Sequence, residues 1–528
     1  MMRFCIAWNK VIFAGSAALA LAAGPLPAGE VTLRSTEGAF NLHGELLRFA
    51  DGHYVVKTPL GEFRVSAERA RCEGEGCPTS DIEDANVRFA GSDSMSVGLM
   101  PLLLTGYAGS LGAEISTSET PNAGQFLSNF VADQGFGDPV GSYLVTPGTT
   151  SDAFAGLLDG SADVGLASRR ITPDEARSLR DAGAGNMIDR RQEHIVAVDS
   201  IVVIAHPDNP VSQLSMQDMR DIYAGRVSNW EALGGEDRPI AFIGRSEASG
   251  TRQVFEETIF GGESVPFSSS HNIAETNAEM AAMVNADPGA IGFVPFSFQR
   301  GARPLDLVNA CGIVSSPDAF TAKTGEYPLQ RRLYLYTRAD AVEPAADFVQ
   351  YAGSEAADVM IAKAGFINLG VERKSQSAAN GRAGQLSTEG LDAYETGILA
   401  NLIDEMSAHD RLSTTFRFRS GSSELDERGA RDLVRLIEFL GDLPKGTQVA
   451  LVGFTDDVGT FDSNLSLSQR RAEIVLDTAI SKGGERLDGL DFAALGFGEL
   501  AASECNVSEA GRSINRRVEV WIKDAVGG

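Results

Sequence analysis

The fold is decided by the stretch Ile240-Ala-Phe-Ile-Gly-Arg-Ser-Glu-Ala-Ser-Gly-Thr-Arg252, where an apolar run gives way to hydroxyls, a glycine and an arginine. The apolar residues 240–243 predict a β-strand, and residues 252–257 predict the helix that follows it. Gly250 lets the backbone approach a ligand, and the first N–H groups of a helix attract an anion. Arg245 adds a planar guanidinium that can hold two oxygens of a tetrahedral oxyanion. The stretch predicts an α/β fold with an anion site; the alternative is an ordinary helix cap beside a surface arginine.

Two further turns of similar composition lie earlier in the chain. Gly91-Ser-Asp-Ser-Met95 follows the apolar run Val87–Ala90, and Pro147-Gly-Thr-Thr-Ser-Asp152 follows Tyr143–Val145. Each turn precedes a predicted helix, so its hydroxyls and N–H groups lie where a strand leads into a helix. Three such turns can direct their donors at one point, which favours an anion site over unrelated helix caps.

Strands alternate with helices from about residue 84 to about residue 370. The other predicted strands and helices of this region are Ile201–Ala205, Leu333–Tyr336, Ser151–Leu158, Met216–Tyr223, Glu275–Val284 and Ala346–Gly353. Such alternation predicts a mainly parallel sheet. Residues 30–80 instead alternate apolar and polar positions between glycines, which predicts a small β module.

Length and charge limit the classes of function. A chain of 528 residues is long enough for about two to four domains. The formal net charge of −27 argues against a nucleic-acid partner, because no net positive field is available to displace phosphate counterions. It does not exclude a small anion, since salt screens a diffuse surface field beyond about 8–10 Å.

The N-terminus carries an export pattern. Arg3 and Lys10 precede the apolar run Val11–Ala23, which ends in small residues. This pattern predicts a secretory signal peptide over residues 1–28 and therefore a periplasmic location. The run is shorter than the roughly 20 apolar residues that span a bilayer, and no later segment is predicted to span one.

The cysteines that follow the signal peptide are Cys72, Cys77, Cys311 and Cys505. The short loop between Cys72 and Cys77 in an exported chain predicts a local disulfide. Cys311 and Cys505 either pair or stay free, and the sequence leaves both open. No second Cys or His pair has ligand spacing, so neither a metal nor a cofactor is predicted.

Residues of about 84–370 resemble the periplasmic phosphate-binding proteins of ABC importers, the PstS family. Further segments that carry the resemblance are Asp163–Arg169, His206–Pro210, Asp221–Trp230 and Asp287–Phe293. The resemblance implies a type II periplasmic-binding-protein fold, in which two α/β lobes close on inorganic phosphate by a hinge motion. It also implies an importer permease as partner. The positions that it assigns to phosphate are Ser94, Met95 (through its N–H), Thr150, Arg245, Ser249, Gly250 and Thr251.

One position departs from the family pattern. Where the family often has an aspartate after Ala-Ser, which accepts the proton of HPO4(2−), this chain has Arg169. Without that acceptor a fully ionised anion such as sulfate is no longer rejected by an unpaired oxygen. Asp152 or Glu247 could replace the acceptor, or Arg169 could face solvent.

A polar segment and an amphipathic helix separate this region from the C-terminus. Residues 373–388 are small and polar, which predicts a linker within residues 371–410. A flexible stretch of that length reaches only roughly 20–25 Å. Apolar residues between Leu391 and Met406 have helical spacing and predict a helix packed on a neighbouring domain.

The last region predicts a second binding site. A strand over Gln448–Val452, the loop Gly453–Gly459 and a helix over Ser463–Ile480 place a carboxylate, Asp456, near a guanidinium, Arg471. Such a pair can receive the ammonium and the carboxylate of a zwitterion. The alternative is a salt bridge between the two, worth about 0–1 kcal/mol if exposed.

Residues of about 411–525 resemble the OmpA C-terminal domain. The segments that carry this resemblance are Phe418–Leu425, Gly453–Asp456, Asn464–Ala472 and Asn515–Glu519. It implies an α+β domain that binds peptidoglycan through diaminopimelate, with Asp456 and Arg471 as the key residues. Other motif positions are Thr455, Asn464 and Arg517, while Phe454 stands where many members have histidine.

Catalytic motifs do not emerge. The sequence has no Walker loop, no Gly-x-Ser-x-Gly nucleophile elbow and no His-Glu-x-x-His pair, so a binding protein is predicted rather than an enzyme. The predicted function is an exported phosphate-binding protein that serves an ABC importer and is anchored to peptidoglycan. The alternative is a structural or sensing protein of the envelope whose anion-binding domain delivers no cargo or binds another oxyanion.

Overall fold

The computed structural model describes residues 30–35, 40–50, 53–66, 69–74, 85–120, 122, 124–132, 137–246, 249–261, 272–376, 382–419, 422 and 427–525. The chain divides into two compact units, residues 1–82 and 83–528, and each is described by itself. The predicted signal peptide lies outside the described residues.

The first unit is a five-stranded antiparallel sheet with the strand order β4-β3-β2-β1-β5. Its strands are β1 (Glu30–Ser35), β2 (Asn41–Ala50), β3 (His53–Thr58), β4 (Gly61–Ser66) and β5 (Ala70–Glu73). Leu33 and Val56 are fully buried in its small core. Cys72 lies in β5, but Cys77 is outside the described residues, so the predicted local disulfide stays a prediction.

The second unit begins with an α/β region up to about residue 370. Its strands are β6 (Val87–Ser92), β7 (Glu114–Glu119), β8 (Phe126–Val131), β9 (Pro139–Gly148), β10 (Val164–Ala167), β11 (Glu193–Ala205), β12 (Gln213–Ser215), β13 (Ala241–Arg245), β14 (Asn272–Ala274), β15 (Ala290–Pro295), β16 (Arg303–Pro304), β17 (Asp306–Val308), β18 (Val314–Ser315) and β19 (Gln330–Thr337). Its α-helices are α1 (Asp93–Gly98), α2 (Met100–Ser110), α3 (Thr150–Asp159), α4 (Pro173–Asp181), α5 (Met216–Tyr223), α6 (Gly250–Phe260), α7 (Asn277–Ala286), α8 (Ala319–Thr324), α9 (Glu343–Ala352) and α10 (Glu355–Lys363).

One long strand joins the two halves of this region. Residues 193–200 of β11 pair with β19, and residues 201–205 pair with β15. The sheet order β14-β13-β15-β11-β19-β10-β6-β9-β8-β7 therefore continues from one half into the other. Each half has its own apolar core, one around Phe89 and Phe348 and the other around Trp230 and Phe293. This arrangement confirms the predicted two-lobed α/β fold.

The prediction of a mainly parallel sheet was wrong for part of this region. β6 is parallel to β9 and β10, and β13 is parallel to β14 and β15, as the strand–helix alternation predicts. β7, β8, β11 and β19 run antiparallel to their neighbours. The physical reason is that only residues 120–125 and 132–138 separate β7, β8 and β9, which are fewer than the dozen or so residues that a crossover between parallel strands needs. The first-lobe helices α9 and α10 follow β19, so the chain returns to the first lobe after building the second.

The C-terminal region is an α+β domain with the sheet order β20-β21-β24-β22-β23. Its elements are β20 (Arg373–Ser375), α11 (Ala393–Ala408), β21 (Asp410–Arg417), α12 (Glu427–Gly441), β22 (Gln448–Phe454), α13 (Phe461–Gly483), β23 (Asp491–Gly496), α14 (Glu509–Asn515) and β24 (Arg517–Lys523). The helix predicted between the domains is α11, and its Leu402 and Met406 pack against Val452 and Trp521 of the C-terminal sheet. The helix therefore belongs to the C-terminal domain.

The segment predicted as a free linker is held on both sides of residues 377–381, which the structure does not describe. On one side β20 pairs with β21. On the other, both terminal nitrogens of Arg382 donate to Glu519 at 2.8 Å. A free reach of roughly 20–25 Å therefore does not describe this segment.

The C-terminal domain is attached to both lobes. Cys311 of the second lobe forms a disulfide with Cys505, which settles the question that the sequence left open. The guanidinium of Arg411 donates to both carboxylate oxygens of Glu326, at 3.0 and 2.7 Å. Arg435 lies 3.8 Å from the carboxylate of Asp358, which belongs to the first lobe. The two domains are thus joined covalently and by ion pairs.

Candidate anion site and candidate zwitterion site

The predicted anion-binding turns lie at the carboxyl ends of parallel strands. In the first lobe β6, β9 and β10 are adjacent and parallel, so the turns after Ser92, Gly148 and Ala167 share one edge of the sheet. Ligands of open α/β sheets bind at this edge. In the second lobe β13 ends at Arg245, and its helix α6 contacts α1 of the first lobe. The fold thus brings the turns from both lobes together.

The turn after β6 needs its glycine. Gly91 has a φ of +129°, and a Cβ there would lie 2.3 Å from the carbonyl oxygen of Leu166. This close approach seats the turn against β10. Beyond it, the Ser94 N–H donates to Asp93 Oδ1 at 2.7 Å. Met95 is fully buried, and the predicted contact of its N–H with an anion stays a prediction.

The turn after β9 is hydrogen-bonded to the turn after β10. Thr150 Oγ1 accepts the N–H of Ser168 at 3.0 Å and lies 3.1 Å from its hydroxyl. Asp152, one of the considered replacements for the missing acceptor, instead caps α3. It accepts the N–H and the hydroxyl of Thr149 at 2.7 and 2.8 Å, and these bonds lower the pKa of the Asp152 carboxyl.

Arg169 is bound within the first lobe. Its guanidinium donates to both oxygens of Glu175, at 2.9 and 2.8 Å, and to the Ser151 hydroxyl at 3.2 Å. It also lies 5.6 Å from the centre of the Phe154 ring. The bonds to Glu175 raise the pKa of Arg169. Arg169 therefore does not simply face solvent, and Glu247 lies outside the described residues.

Arg245 is bound by its own lobe. Its Nε donates to the Ala274 carbonyl and its Nη2 to the Glu275 carbonyl, each at 3.1 Å, while its Nη1 donates to Asn277. Burial lowers the pKa of the guanidinium. The predicted contact of Arg245 with an anion stays a prediction, and in this structure its guanidinium binds the end of β14 and the start of α7.

The start of α6 places the other predicted donors of the second lobe. Ser249 caps the helix, accepting the Arg252 N–H at 3.3 Å, and Gly250 is the first helical residue. Arg252 also donates to the Arg245 carbonyl at 3.0 Å, which fastens the helix start to the end of β13. Ser249 and Thr251 are both largely buried.

The structure adds an ion pair that the sequence analysis missed. Asp199 of β11 and Arg331 of β19 lie opposite each other where β11 passes between the lobes. Arg331 donates to Asp199 Oδ2 through Nε at 3.0 Å and through Nη2 at 2.8 Å. Its Nη2 also donates to the Ser94 hydroxyl at 3.2 Å. We call Asp199 and Arg331 the hinge pair. They lie 132 positions apart in the sequence, so motifs of neighbouring residues do not reveal the pair.

In the C-terminal domain, Asp456 and Arg471 are both buried at the end of β22 and on α13. Asp456 Oδ2 accepts a hydrogen bond from Arg516 Nη1 at 2.7 Å, and Arg516 also binds Glu509 at 2.6 Å. Among the described residues, no salt bridge joins Asp456 to Arg471, so the alternative proposed for this pair is not what the structure has. Arg516 is a further residue that the sequence analysis missed.

Arg471 has one N–H donor without an acceptor in the part of the chain that the structure describes. Its Nε and Nη2 donate to the Ser422 carbonyl at 3.2 and 3.0 Å, and its guanidinium lies 5.1 Å from the centre of the Phe418 ring. Its Nη1 is buried, and no acceptor for it occurs in the described ranges. Burial lowers the pKa of Arg471 to about 10, so the group stays charged at neutral pH. The site therefore holds a cation with an N–H ready for a carboxylate.

The other predicted residues of this site divide into two groups. Asn464 donates to the Asp456 carbonyl at 3.3 Å and to Glu499 at 2.6 Å, and Thr455 is buried next to Asp456. Arg517 is fully buried, and it donates to Glu519 at 2.7 Å and lies 4.3 Å from the Phe454 ring centre. These contacts place Arg517 in the core, and any role in ligand binding stays a prediction.

The described ranges contain no group of three or more His, Cys, Asp and Glu side chains that could hold a metal ion. No helix in the described part of the chain combines the length and apolar character needed to cross a membrane.

Two family models match the chain. Residues 80–356, more than half of the chain, match the PBP superfamily domain, so the protein belongs to the PBP superfamily. Residues 417–516 match the OmpA family. The chain thus carries a PBP-like domain followed by an OmpA domain.

Individual relatives match part of the chain. The phosphate-binding protein PstS of Bacillus subtilis is 33% identical over 165 residues, 31% of this chain and 52% of that protein. The PstS of Pseudomonas aeruginosa is 26% identical over 239 residues, 42% of this chain and 72% of that protein. An ABC-type phosphate transport receptor from Vibrio cholerae is structurally similar, with 23% identity, a TM-score of 0.41 and coverage of 53% of this chain and 98% of the receptor. The chain spans about half the length of the Bacillus relative.

Proposed function

We propose that this protein is an exported phosphate-binding protein that its C-terminal domain holds at the cell wall. The observation that carries the proposal is the meeting of strand-to-helix turns at one edge of the two-lobed sheet. These turns supply helix N–H groups and the hydroxyls of Ser94, Thr150, Ser249 and Thr251 from both lobes. Hydrogen bonds to a charged partner are each worth roughly 1.5–3 kcal/mol, so several outweigh the repulsion of a screened acidic surface.

The matched relatives support phosphate as the ligand. Proteins named as phosphate-binding match 31% and 42% of this chain. Lobe closure on the anion would remove it from water, and the N–H and hydroxyl donors would replace its hydration shell. The ligand set that we propose is Ser94, the Met95 N–H, Thr150, Arg245, Ser249, Gly250 and Thr251.

The proposed wall contact uses the zwitterion site. Arg471, whose buried Nη1 has no acceptor among the described residues, would bind the carboxylate of diaminopimelate. Asp456 would bind the ammonium, in partial competition with Arg516. Thr455 and Asn464 would shape the loop around them. A periplasmic location follows from the predicted signal peptide together with this contact.

We also propose that the protein delivers phosphate to an importer permease. One observation, however, favours a second function. The C-terminal domain is fixed to both lobes through Cys311–Cys505, Glu326–Arg411 and Arg435–Asp358. A wall-bound protein built this way has less freedom to reach a permease than a tethered one. A structural or sensing protein that binds phosphate without delivering it is therefore the second candidate.

Isothermal titration of the purified chain with phosphate and with sulfate tests the anion site. We expect one phosphate to bind per chain and sulfate to bind more weakly. If neither phosphate nor sulfate gives heat, the proposed function is contradicted.

Sedimentation with purified peptidoglycan tests the wall contact. The wild-type chain should pellet with peptidoglycan, and Asp456→Ala should remain in the supernatant. Equal pelleting of wild type and variant would refute the assignment of this site.

Measurement of phosphate uptake by cells that lack the gene for this chain would separate the two candidate functions. Impaired uptake supports delivery, and normal uptake supports sensing or structure.

A further inference from the structure

Strands β11 and β19, which carry the hinge pair, separate the predicted anion-binding turns from the C-terminal domain. The Arg331 side chain reaches Ser94 in the turn after β6, so this side of the strands faces the turns. Neighbouring residues of a strand point to opposite sides. Accordingly, Val198 and Arg332 line a small cavity together with Arg435 and other residues of the C-terminal domain. We call the side of Ser94 the cleft face and the side of Arg332 the back face.

The C-terminal domain is fixed to the second lobe at several points. The disulfide of Cys311 is accompanied by the two hydrogen bonds from Arg411 to Glu326. Lys374 Nζ also donates to Asp318 Oδ2 at 2.7 Å. A rotation of the lobes about β11 and β19 therefore moves the C-terminal domain together with the second lobe.

Helix α12 of the C-terminal domain also contacts the first lobe. Arg435 Nη2 donates to the Gly353 carbonyl just after α9, and Arg435 Nη1 lies 3.8 Å from the carboxylate of Asp358 on α10. One turn earlier on α12, Arg431 is close to the first lobe as well: burial, assisted by the charge of Arg431, lowers the pKa of His194 to about 4. The first lobe thus meets a helix that is anchored on the other lobe.

The two lobes are close together at the cleft face. Helix α1 of the first lobe contacts α6 of the second, and the charge of Glu257 on α6 is one of the causes that raise the pKa of Arg169. A rotation about β11 and β19 that opens the cleft face brings the lobes together at the back face. There the first lobe would move against α12, which is held by the second lobe. Opening therefore requires that the contacts of Arg435 break or that α12 shifts.

We propose that α12 is a stop that restricts the opening of the two lobes, and that Arg435 is the residue through which it holds the first lobe. A bound anion would then leave slowly, because its release needs the lobes to open. The part of this inference that concerns the anion rests on the proposed function, whereas the restriction of the lobes rests on the contacts of α12 alone. Such a stop suits a protein that retains phosphate better than one that hands it to a permease.

Exchange of bound phosphate tests the consequence for the ligand. The full-length chain is loaded with radiolabelled phosphate, and the release of label into excess unlabelled phosphate is followed by rapid filtration. We expect Arg435→Ala to release phosphate about tenfold faster than the wild type, as the loss of one charged hydrogen bond predicts. Arg435→Lys, which keeps a long cationic side chain, should restore slow release. Equal release rates for the wild type and Arg435→Ala would overturn the inference.

Lys374→Ala is the matched control. It removes an ion pair between the C-terminal domain and the second lobe, and it leaves the contacts of Arg435 with the first lobe in place. Its release rate should equal that of the wild type. An equal acceleration in Lys374→Ala and Arg435→Ala would overturn the role assigned to Arg435.

A distance measurement tests the stop without any ligand. Spin labels at Leu111→Cys in the first lobe and Ala282→Cys in the second occupy exposed positions. Without phosphate, double electron–electron resonance should give a narrow distribution of interlobe distances with Arg435 present and a broader one with Arg435→Ala. Identical distributions would overturn this inference, whether or not phosphate binds. Failure of the wild type to bind phosphate would overturn the proposed function instead.

Discussion

Arg245 in the proposed anion site and Arg471 in the proposed zwitterion site are both buried. Their guanidinium groups differ in whether every nitrogen has a hydrogen-bond acceptor. Every nitrogen of Arg245 donates to an oxygen of its own lobe. Arg471 keeps a buried Nη1 without an acceptor in the described ranges. The proposed anion site would thus rely on hydroxyls and helix N–H groups, whereas the proposed zwitterion site would rely on one charged side chain. We therefore expect a single substitution to weaken ligand binding more at the zwitterion site than at the anion site.

The largest effect is expected from Arg471→Ala. Loss of the Nη1 donor that would receive a carboxylate should weaken peptidoglycan binding by about 10- to 100-fold, since one charged hydrogen bond, worth roughly 1.5–3 kcal/mol, disappears. Co-sedimentation with peptidoglycan measures this effect. Arg470→Ala is the matched control because Arg470 is the exposed neighbour on the same helix. Equal losses of peptidoglycan binding in Arg471→Ala and Arg470→Ala would contradict the role proposed for Arg471.

The second-largest effect is expected at the interface between the C-terminal domain and the second lobe. Burial alone would raise the pKa of Glu326, but the guanidinium groups of Arg411 and Arg382 outweigh it and hold the pKa well below the ordinary 4.5. A carboxyl with a lowered pKa stabilises the folded state above its unfolded pKa, and that contribution is lost as the pH falls below about 4.5.

Glu326→Gln should therefore lower the free energy of unfolding at neutral pH by about 2 kcal/mol. It should also flatten the dependence of that free energy on pH below 4.5. Denaturant titrations over this pH range give both quantities. A variant whose pH dependence matches that of the wild type would show that the interface ion pair is not what we describe.

A smaller effect is expected when one hydroxyl is removed from the anion site. Thr251→Val keeps the shape of the side chain and the helix N–H groups but removes one donor, so phosphate affinity should fall by about tenfold. Thr258→Val on the same helix is the control, because its hydroxyl donates to the Val254 carbonyl. Titration calorimetry measures both. Equal affinities for Thr251→Val and wild type would argue against a hydroxyl-based site.

The smallest effect is expected at Arg169. Its half-exposed ion pair with Glu175 contributes about 0–1 kcal/mol to stability, and the pair lies within the first lobe. Arg169→Gln should therefore change the ratio of phosphate to sulfate affinity by less than about twofold. A large change in that ratio would show that residue 169, where the family often has aspartate, determines the preference between phosphate and sulfate.

The sequence predicted local features well. The helix predicted over Met216–Tyr223 has those bounds in the structure, because Ser215 caps it and reciprocal bonds with Asp218 close the first turn. The strand-to-helix turns were also found, since hydroxyls and glycines there follow apolar runs directly. Such features depend on residues only a few positions apart.

Contacts between distant residues could not be predicted in this way. Asp199 and Arg331 meet only because β11 and β19 pair, and Glu326 meets Arg411 only because the C-terminal domain packs on the second lobe. The disulfide of Cys311 joins a residue 194 positions away. Composition alone also indicated a free linker, but the pairing of β20 with β21 depends on a strand much later in the chain.

The central claim is that one chain binds phosphate while it is held on peptidoglycan. Sacculi loaded with the full-length protein, washed and equilibrated with radiolabelled phosphate, test it directly. We predict one phosphate retained for each bound chain, none on unloaded sacculi, and loss of both protein and phosphate with Arg471→Ala. Sacculi that hold the wild-type protein but retain no phosphate would contradict this account.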